Sequence, residues 1–441
     1  MNRKEWLTKT SVIATGGIYM VNRWLPTALN FMNKLQGPIS VEIRQKNGFF
    51  QMYRGGEPYY INGAGGADNL DLLVSIGGNS IRQWGTGGNT PALLDRAHDK
   101  GISVCLGLNM ARERHGFDYD DEEAVAQQFE RMRNEVLKYK DHPAVLMWGI
   151  GNELDLRYTN TNVWHAVNDV SKMIHELDPH HLTTTMTAGI NQEKVHQIKD
   201  KCSDLDLLSV NTYGGLSSLP DNLMNYGWEK AYIVTEWGPT GHWESPRTEW
   251  DVAIEETSTQ KARAYHERYQ ASMQKDIKRC LGSYVFLWGQ KQERTHTWYG
   301  MFMENNDPIE VVDSMQYNWL GKWPEKRSPG IRDYRLDGKT ALDSVYLAPG
   351  QHVEAQVIPH DKLSESISIE WEILHESTDL QDGGDREEKP TRVEGFIDRG
   401  GVTTLQFIAP SEEGPYRIFV YIKDEEINRV ATANIPFYVK G

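Results

Sequence analysis

HPAVLMWGIGNELD, residues 142–155, joins a run of apolar residues to a polar end. An apolar run of this length is typical of a strand that is buried on both faces. The run ends in Asn152 and Glu153, and a carboxylate at the exit of a buried strand costs free energy unless it is paired, hydrogen-bonded or neutralised. Glu153 is therefore either a satisfied structural group or a group that the protein uses for chemistry.

Residues 58–320 repeat this arrangement, because short apolar runs alternate there with longer amphipathic stretches. The stretches 121–140, 161–177 and 258–281 predict helices. Eight runs predict strands: YYINGAG, NSIRQW, SVCLGLNM, AVLMWGIGNE, LTTTMT, LDLLSVNTY, AYIVTEWG and SYVFLWGQ. Eight strands alternating with helices predict an α/β fold of the parallel (β/α)8 (TIM) barrel type. A doubly wound open sheet is the alternative, but GAGG at 63–66 lacks the later spacing of a phosphate-binding turn.

The chain changes character after Leu320. Residues 321–338 contain Pro324, Pro329 and Gly330 and are interpreted as a linker. From residue 339 onward strand patterns and turns alternate without a helical period, which predicts an immunoglobulin-like β-sandwich. We assign residues 37–335 to the barrel and residues 339–441 to the sandwich. We expect the sandwich to support the barrel structurally without taking part in catalysis, and the acidic loop 376–390 to be a solvated hairpin.

Composition limits the function classes. The 441 residues carry a net charge of −15, which argues against nucleic acid or anionic lipid as the main partner, because basic patches bind both. The flat faces of the 14 Trp and 20 Tyr residues suit neutral, partly apolar ligands such as sugars. Cys105, Cys202 and Cys280 are widely spaced and are interpreted as buried thiols. HELDPHH at 175–181 has metal-ligand residue types but falls at the predicted lower face of the barrel, so we expect no metal and no cofactor.

Residues 1–36 allow two interpretations. A basic start, MNRKEWLTKT, precedes the short apolar stretch SVIATGGIYMV, which fits either a secretory leader or an amphipathic N-terminal segment. The apolar stretch is too short to span a bilayer. We expect a secreted or periplasmic protein that acts as a monomer. Whether residues 1–36 are a secretory signal stays open.

A second carboxylate has the same position as Glu153. The seventh predicted strand, AYIVTEWG, ends in Glu236, and residues that end barrel strands line the active-site mouth. Strands four and seven lie across that mouth from each other. Two carboxyl groups about 5–5.5 Å apart are what a retaining glycosidase needs.

HPAVLMWGIGNE followed by YIVTEWG resembles clan A of the glycoside hydrolases, in which the acid/base and nucleophile glutamates end strands four and seven. The resemblance covers residues 58–320 and includes GGNSIRQWG on strand two. HPAVLMWGIGNE is especially similar to family 2, which includes β-galactosidases, β-mannosidases and β-glucuronidases. The layout of a barrel followed by one immunoglobulin-like domain resembles the family 158 β-1,3-glucanases.

The resemblance implies roles for individual residues. Glu153 would be the acid/base and Glu236 the nucleophile. Asn152 would donate a hydrogen bond to the sugar 2-hydroxyl, and Arg82 would keep Glu236 charged and oriented. The remaining candidates are substrate-binding residues at strand ends and loops: Tyr213 as a donor to Glu236, Trp288 as an apolar floor, Trp84, Trp237, Trp243 and Trp298 as sugar platforms, and Asn109, His115 and His242. Glu293 is a competing carboxylate, for which a salt bridge with Arg294 is the alternative.

These observations predict a retaining β-glycoside hydrolase. Loops rich in Trp and Tyr after strands three, seven and eight favour several subsites, so the expected activity is that of an endo-β-1,3-glucanase on laminarin-type polysaccharide. The alternatives are an exo-acting, family 2-like β-galactosidase, β-mannosidase or β-glucuronidase, and a β-glucan transglycosylase. A carbohydrate-binding pseudoenzyme is disfavoured because both glutamates are present. The expected partner is therefore an oligo- or polysaccharide.

Overall fold

The structure is a computed structural model that describes residues 37–394 and 402–441, so the predicted leader at 1–36 lies outside the described residues. In the described part, eight parallel strands form a closed barrel in chain order, as the sequence predicts. They are β4 (Ile61–Gly65), β5 (Ser80–Gln83), β6 (Ser103–Leu108), β7 (Val145–Asn152), β8 (Leu182–Ala188), β9 (Leu208–Asn211), β10 (Tyr232–Trp237) and β11 (Cys280–Val285). All eight residues of β7 are buried, which explains its unbroken apolar run.

Helices pack outside these strands and connect them. Those described are α1 (Leu70–Ser75), α2 (Thr90–Asp99), α3 (Glu122–Tyr139), α4 (Asn162–Leu177), α5 (Gln192–Lys201), α6 (Leu219–Asn225), α7 (Ser258–Tyr269) and α8 (Val311–Leu320). The predicted helix 258–281 is too long, because α7 ends in a short π-helical turn at 270–274 and β11 begins at Cys280. The apolar residues after Arg279 therefore belong to the strand.

A three-stranded antiparallel sheet, which the sequence analysis did not predict, closes one end of the barrel. Its strands are β1 (Val41–Lys46), β2 (Phe49–Arg54) and β3 (Glu57–Tyr59). Asn47-Gly48 and Gly55-Gly56 form its two turns with positive φ angles, as two-residue hairpin loops require. The Val41 amide donates to the His180 carbonyl at 2.7 Å, just before β8. The sheet thus covers the end where strands begin and leaves the carboxyl end open.

The C-terminal domain is a sandwich of two sheets. One contains β12 (Ile331–Leu336), β14 (His352–Pro359) and β16 (Thr404–Ile408), and the other contains β13 (Val345–Leu347), β15 (Ile367–His375), β17 (Gly414–Asp424) and β18 (Arg429–Val439). Residues 331–336, interpreted above as linker, therefore form a strand that pairs with β14. The sandwich begins at Ile331, before residue 339, because alternate side chains of β12 fill its core.

A buried polar network joins the sandwich to the barrel. Arg417 of β17 is 2% exposed and donates to the Glu376 carboxylate, to Asn434 Oδ1 at 2.7 Å and to the Ala253 carbonyl at 2.9 Å. Asn434 Nδ2 donates in turn to Glu255 Oε2 at 2.6 Å. Such bonds fix the sandwich in one position, since any shift would leave a buried charge unpaired.

No helix in the described ranges has the length and apolar character to cross a membrane.

Candidate active site

A single pocket of about 310 Å³ at the carboxyl end of the barrel brings the two predicted glutamates together. Glu153 follows β7 and Glu236 lies near the end of β10. The lining comes from strand ends and loops of the barrel and from the sandwich: Trp84, Arg112, Asn152, Glu153, Tyr213, Glu236, Trp243, Phe286, Leu287, Lys291, Glu293, Gly383, Gly384 and Asp385. A pocket with convergent polar groups and paired carboxylates is where acid–base chemistry is expected.

The carboxylate of Glu236 accepts hydrogen bonds on both oxygens. Its Oε1 accepts from Arg82 Nη1 at 2.8 Å and from Trp84 Nε1 at 2.7 Å, and its Oε2 accepts from Tyr213 Oη at 3.1 Å. Arg82 is 1% exposed and also donates to the Thr235 carbonyl at 2.8 Å, so its guanidinium is held in place. A charged donor and two neutral ones stabilise negative charge on Glu236, which is the state that a carboxylate nucleophile needs.

The backbone turns sharply where it delivers Glu153 to the pocket. The pairing of β7 with β8 slips between Gly149 and Asn152, and Gly151 and Glu153 have φ angles of 70° and 50°. Positive φ in a glutamate costs on the order of 1–3 kcal/mol and is found mainly where surrounding structure enforces it. Here the Glu153 amide donates to the Met186 carbonyl at 2.8 Å. The bulged strand end thus directs the carboxyl group inward.

Glu153 lies in an environment opposite to that of Glu236. Burial, and secondly the negative charge of Glu236, raises the pKa of Glu153 to about 7. Asn211 Nδ2 donates a hydrogen bond to its Oε1 at 3.0 Å. Two carboxyl groups held in such different surroundings divide into a proton donor and an ionised partner. The surroundings of Glu153 thus favour its protonated form, and those of Glu236 supply three hydrogen-bond donors to its carboxylate.

Asn152 and Asn211 connect the two glutamates. Asn152 Oδ1 accepts from Arg82 Nη2 and, at 3.1 Å, from Asn211 Nδ2. The amide nitrogen of Asn152 is therefore the atom left to donate into the pocket. Sequence reasoning missed Asn211, which ends β9. Its position at the end of an apolar strand, as for Asn152, was the available signal.

Several predicted binding residues lie outside the pocket lining. Trp237 is buried against Tyr265 and Tyr269 of α7, with ring centroids 5.3 and 6.1 Å apart, because successive strand residues point to opposite faces and Glu236 points inward. Trp288 is fully buried and donates from Nε1 to the Asp68 carbonyl at 2.6 Å. Phe286, which directly follows β11, lines the pocket in its place.

The loop candidates divide in the same way. Trp243 lines the pocket and is 56% exposed. The others do not line it: Asn109 donates to the Thr86 carbonyl at 3.2 Å, Trp298 donates to the Thr240 carbonyl at 3.0 Å, and His242 is buried with Nε2 3.5 Å from Glu293 Oε1. The suggested Glu293–Arg294 salt bridge does not form. Glu293 pairs with Lys291 at 2.7 Å, and Arg294 pairs with Glu387.

The acidic loop 376–390 of the sandwich, expected to be a solvated hairpin, is largely exposed and also forms part of the pocket wall. Gly383, Gly384 and Asp385 line the cavity. Asp385 pairs with Arg114 at 2.9 Å, and the Gly384 carbonyl accepts from Lys291 Nζ at 2.7 Å. Gly383 has a φ of 60°, and a Cβ there would lie 2.7 Å from Leu156, so glycine permits the close approach. The sandwich therefore contributes directly to the site.

The raised pKa of Glu153 predicts a pH dependence. The acid must hold its proton to act, so kcat/KM for a substrate with a poor leaving group should be high below pH about 7 and fall above it, as the pKa of about 7 requires. The measurement is kcat/KM from pH 5 to 9 with two aryl glycosides that differ in leaving-group pKa. In the Glu153→Ala variant the alkaline fall should disappear. An unchanged alkaline limb in that variant would assign it to another group.

The comparisons with known proteins identify the family of the barrel. The family model for the TIM barrel domain of the family 2 glycosyl hydrolases matches residues 92–319, more than half of the chain. No curated protein matches. Among solved structures, the family 2 β-galacturonidase of Eisenbergiella tayi, bound to galacturonate, is similar at a TM-score of 0.50 and 17% identity, over 65% of this chain and 54% of that one. β-Glucuronidase 2 of Bacteroides uniformis is similar at a TM-score of 0.50 and 14% identity, over 91% of this chain and 48% of that one.

These likenesses between structures concern the fold, and the chain spans about half the length of each of those two enzymes. The family match covers β7 and β10 together with Glu153 and Glu236. The chain therefore belongs to glycosyl hydrolase family 2, and its barrel is the TIM barrel domain of that family.

Proposed function

We propose that this protein is a retaining, exo-acting β-glycosidase that releases one sugar at a time from the end of a glycan. The observation that carries the proposal is the pair of glutamates in one pocket, with Glu236 held by three donors and Glu153 half-buried with a raised pKa. Retaining glycosidases use two carboxyl groups in this way.

The reaction would follow double displacement. Glu236 attacks the anomeric carbon while Glu153 gives its proton to the leaving oxygen, and the bond to the aglycone breaks. Glu153, now ionised, takes a proton from water, which attacks the same carbon and releases Glu236. Asn152, with its oxygen already occupied by Arg82 and Asn211, donates from its amide to the 2-hydroxyl, a contact that strengthens in the transition state.

The shape of the pocket favours exo action over the endo-β-1,3-glucanase activity expected from the sequence. Its volume of about 310 Å³ lies at the small end of the roughly 300–1,000 Å³ range of ligand sites. The wall formed by Gly383, Gly384 and Asp385 narrows a mouth that a polysaccharide would otherwise cross. The comparisons also favour the family 2 alternative, since the similar structures are named a β-galacturonidase and a β-glucuronidase. Exposed Trp243 at the rim would support the leaving sugar.

Product analysis tests the proposal. Oligosaccharides labelled at the reducing end should lose single sugars from the opposite end. The viscosity of a laminarin solution should stay constant, whether the enzyme releases reducing sugar from laminarin or does not act on it. The panel comprises aryl β-glucosides, β-galactosides, β-mannosides, β-glucuronides and β-galacturonides, with aryl α-glycosides as the negative control. Internal cleavage of laminarin with a rapid loss of viscosity would contradict exo action. A product with inverted anomeric configuration, as observed by NMR, would contradict the retaining mechanism.

A further inference from the structure

The charges that line the pocket are unequally compensated. Four of its charged residues belong to ion pairs: Glu236 pairs with Arg82 at 2.8 Å, Glu293 and Lys291 pair with each other at 2.7 Å, and Asp385 pairs with Arg114 at 2.9 Å. Lys291 also donates to the Gly384 carbonyl at 2.7 Å, so two of its hydrogen bonds are already made inside the protein. Glu153 must be neutral to act as the acid. This leaves Arg112 as the uncompensated charge of the pocket lining.

Arg112 is anchored through its Nε atom, which leaves the two terminal nitrogens of its guanidinium for a ligand in the pocket. Its Nε donates to the Asn152 carbonyl at 3.0 Å, which fixes the side chain beside the strand end that carries Glu153. In the parts of the chain that the structure describes, its guanidinium has no carboxylate within salt-bridge distance, although it lines the pocket. A guanidinium is a planar fork of donors that matches the two oxygens of a carboxylate or a sulfate group. An unpaired fork in a substrate pocket is therefore a built site for an oxyanion.

We propose that Arg112 binds an anionic group of the substrate, either the carboxylate of a uronic acid or a sulfate ester, and that the enzyme selects acidic glycosides. The inference rests on the proposed glycosidase function and names its substrate class. The anion lies beside Asn152 and Glu153, close to the bond that is cleaved. A neutral sugar would leave the Arg112 fork desolvated without a charged partner, and this penalty is the source of selectivity.

Matched substrates test the inference. kcat/KM is measured for aryl β-glucuronide and β-galacturonide, for the neutral β-glucoside and β-galactoside, and for the same neutral glycosides carrying one sulfate ester. The wild type should prefer at least one anionic substrate over its neutral twin. Arg112→Gln should lower kcat/KM for that substrate by roughly 10- to 100-fold, the scale of a lost hydrogen-bonded charge, and should lower it less for the neutral twin. Arg112→Lys, which keeps the charge without the fork, should recover part of the loss.

Arg133→Gln is the matched control, because Arg133 lies on α3 with its side chain 42% exposed and outside the pocket lining. It should leave all rates unchanged. Preference for the uronides identifies a carboxylate, and preference for the sulfated glycosides identifies a sulfate ester. A wild type that cleaves neutral twins as fast as anionic ones, or an Arg112→Gln variant that loses both equally, would overturn the inference and leave the glycosidase function standing. If no glycoside is cleaved, the function fails, and calorimetric binding of glucuronate, galacturonate and sulfated glucose to wild type and Arg112→Gln still decides the role of Arg112.

Discussion

Glu236→Ala is expected to abolish turnover of every glycoside, by roughly 10⁵-fold or more, the scale reached when a catalytic nucleophile is removed. No other carboxylate of the pocket lining is expected to take its place, because Glu293 is paired with Lys291, Asp385 is paired with Arg114, and Glu153 is the acid in the proposed mechanism. Added azide should occupy the vacated volume, attack an activated substrate from that face and give the α-glycosyl azide. The measurement is the rate with a dinitrophenyl glycoside, with the azide product identified by NMR.

Glu229→Ala is the control for this experiment, since Glu229 is an exposed glutamate outside the pocket lining. Its activity should match that of the wild type. If Glu236→Ala gave the β-glycosyl azide instead, the roles of the two glutamates would be the reverse of those proposed. Activity retained in both Glu236→Ala and Glu153→Ala would remove the glycosidase assignment altogether.

The loss of activity in Glu153→Ala is expected to depend on the leaving group of the substrate. With a poor leaving group the rate should fall by roughly 10²–10⁴-fold, the usual contribution of a general acid. With a dinitrophenyl leaving group, which needs little proton donation, the first step should persist and the glycosyl-enzyme should accumulate for want of a base. Azide, which needs no deprotonation, should then restore turnover and give the β-glycosyl azide.

Mass spectrometry of the quenched enzyme checks that step directly. The adduct should be found on the peptide that contains Glu236. An equal loss for good and poor leaving groups would contradict the role of Glu153 as a proton donor. Glu153→Gln offers a closer match in shape and should show the same separation.

The features that could be predicted from the sequence are those that depend on a local pattern of residues, namely the barrel strands and the two glutamates at their ends. Eight apolar runs became eight barrel strands because each is buried on both faces, and Glu153 and Glu236 met because the carboxyl ends of parallel strands share one edge. The side-chain assignments failed where direction mattered. Trp237 follows Glu236 in an extended strand and had to face α7, which a count of alternate residues would have shown.

Other features depend on contacts between distant segments. The loop 376–390 looks like any acidic surface loop, and its position over the pocket depends on Arg114 and Lys291, which lie in the barrel. Arg112 likewise looks like one more charged residue in ARERH. The role proposed for Arg112 depends on the absence of a carboxylate within salt-bridge distance among the described residues, and this becomes visible only when the chain is folded.

The glycine-containing wall that the sandwich supplies has an evolutionary consequence. A barrel that borrows Gly383, Gly384 and Asp385 from the next domain cannot be exchanged as an independent module. A recombination event between residues 320 and 331 would transfer a barrel with both glutamates but with one side of its binding site missing. Substitutions at these three positions would change the pocket wall, although they lie far along the gene from Glu153 and Glu236. Inheritance of specificity would follow the pair of domains together.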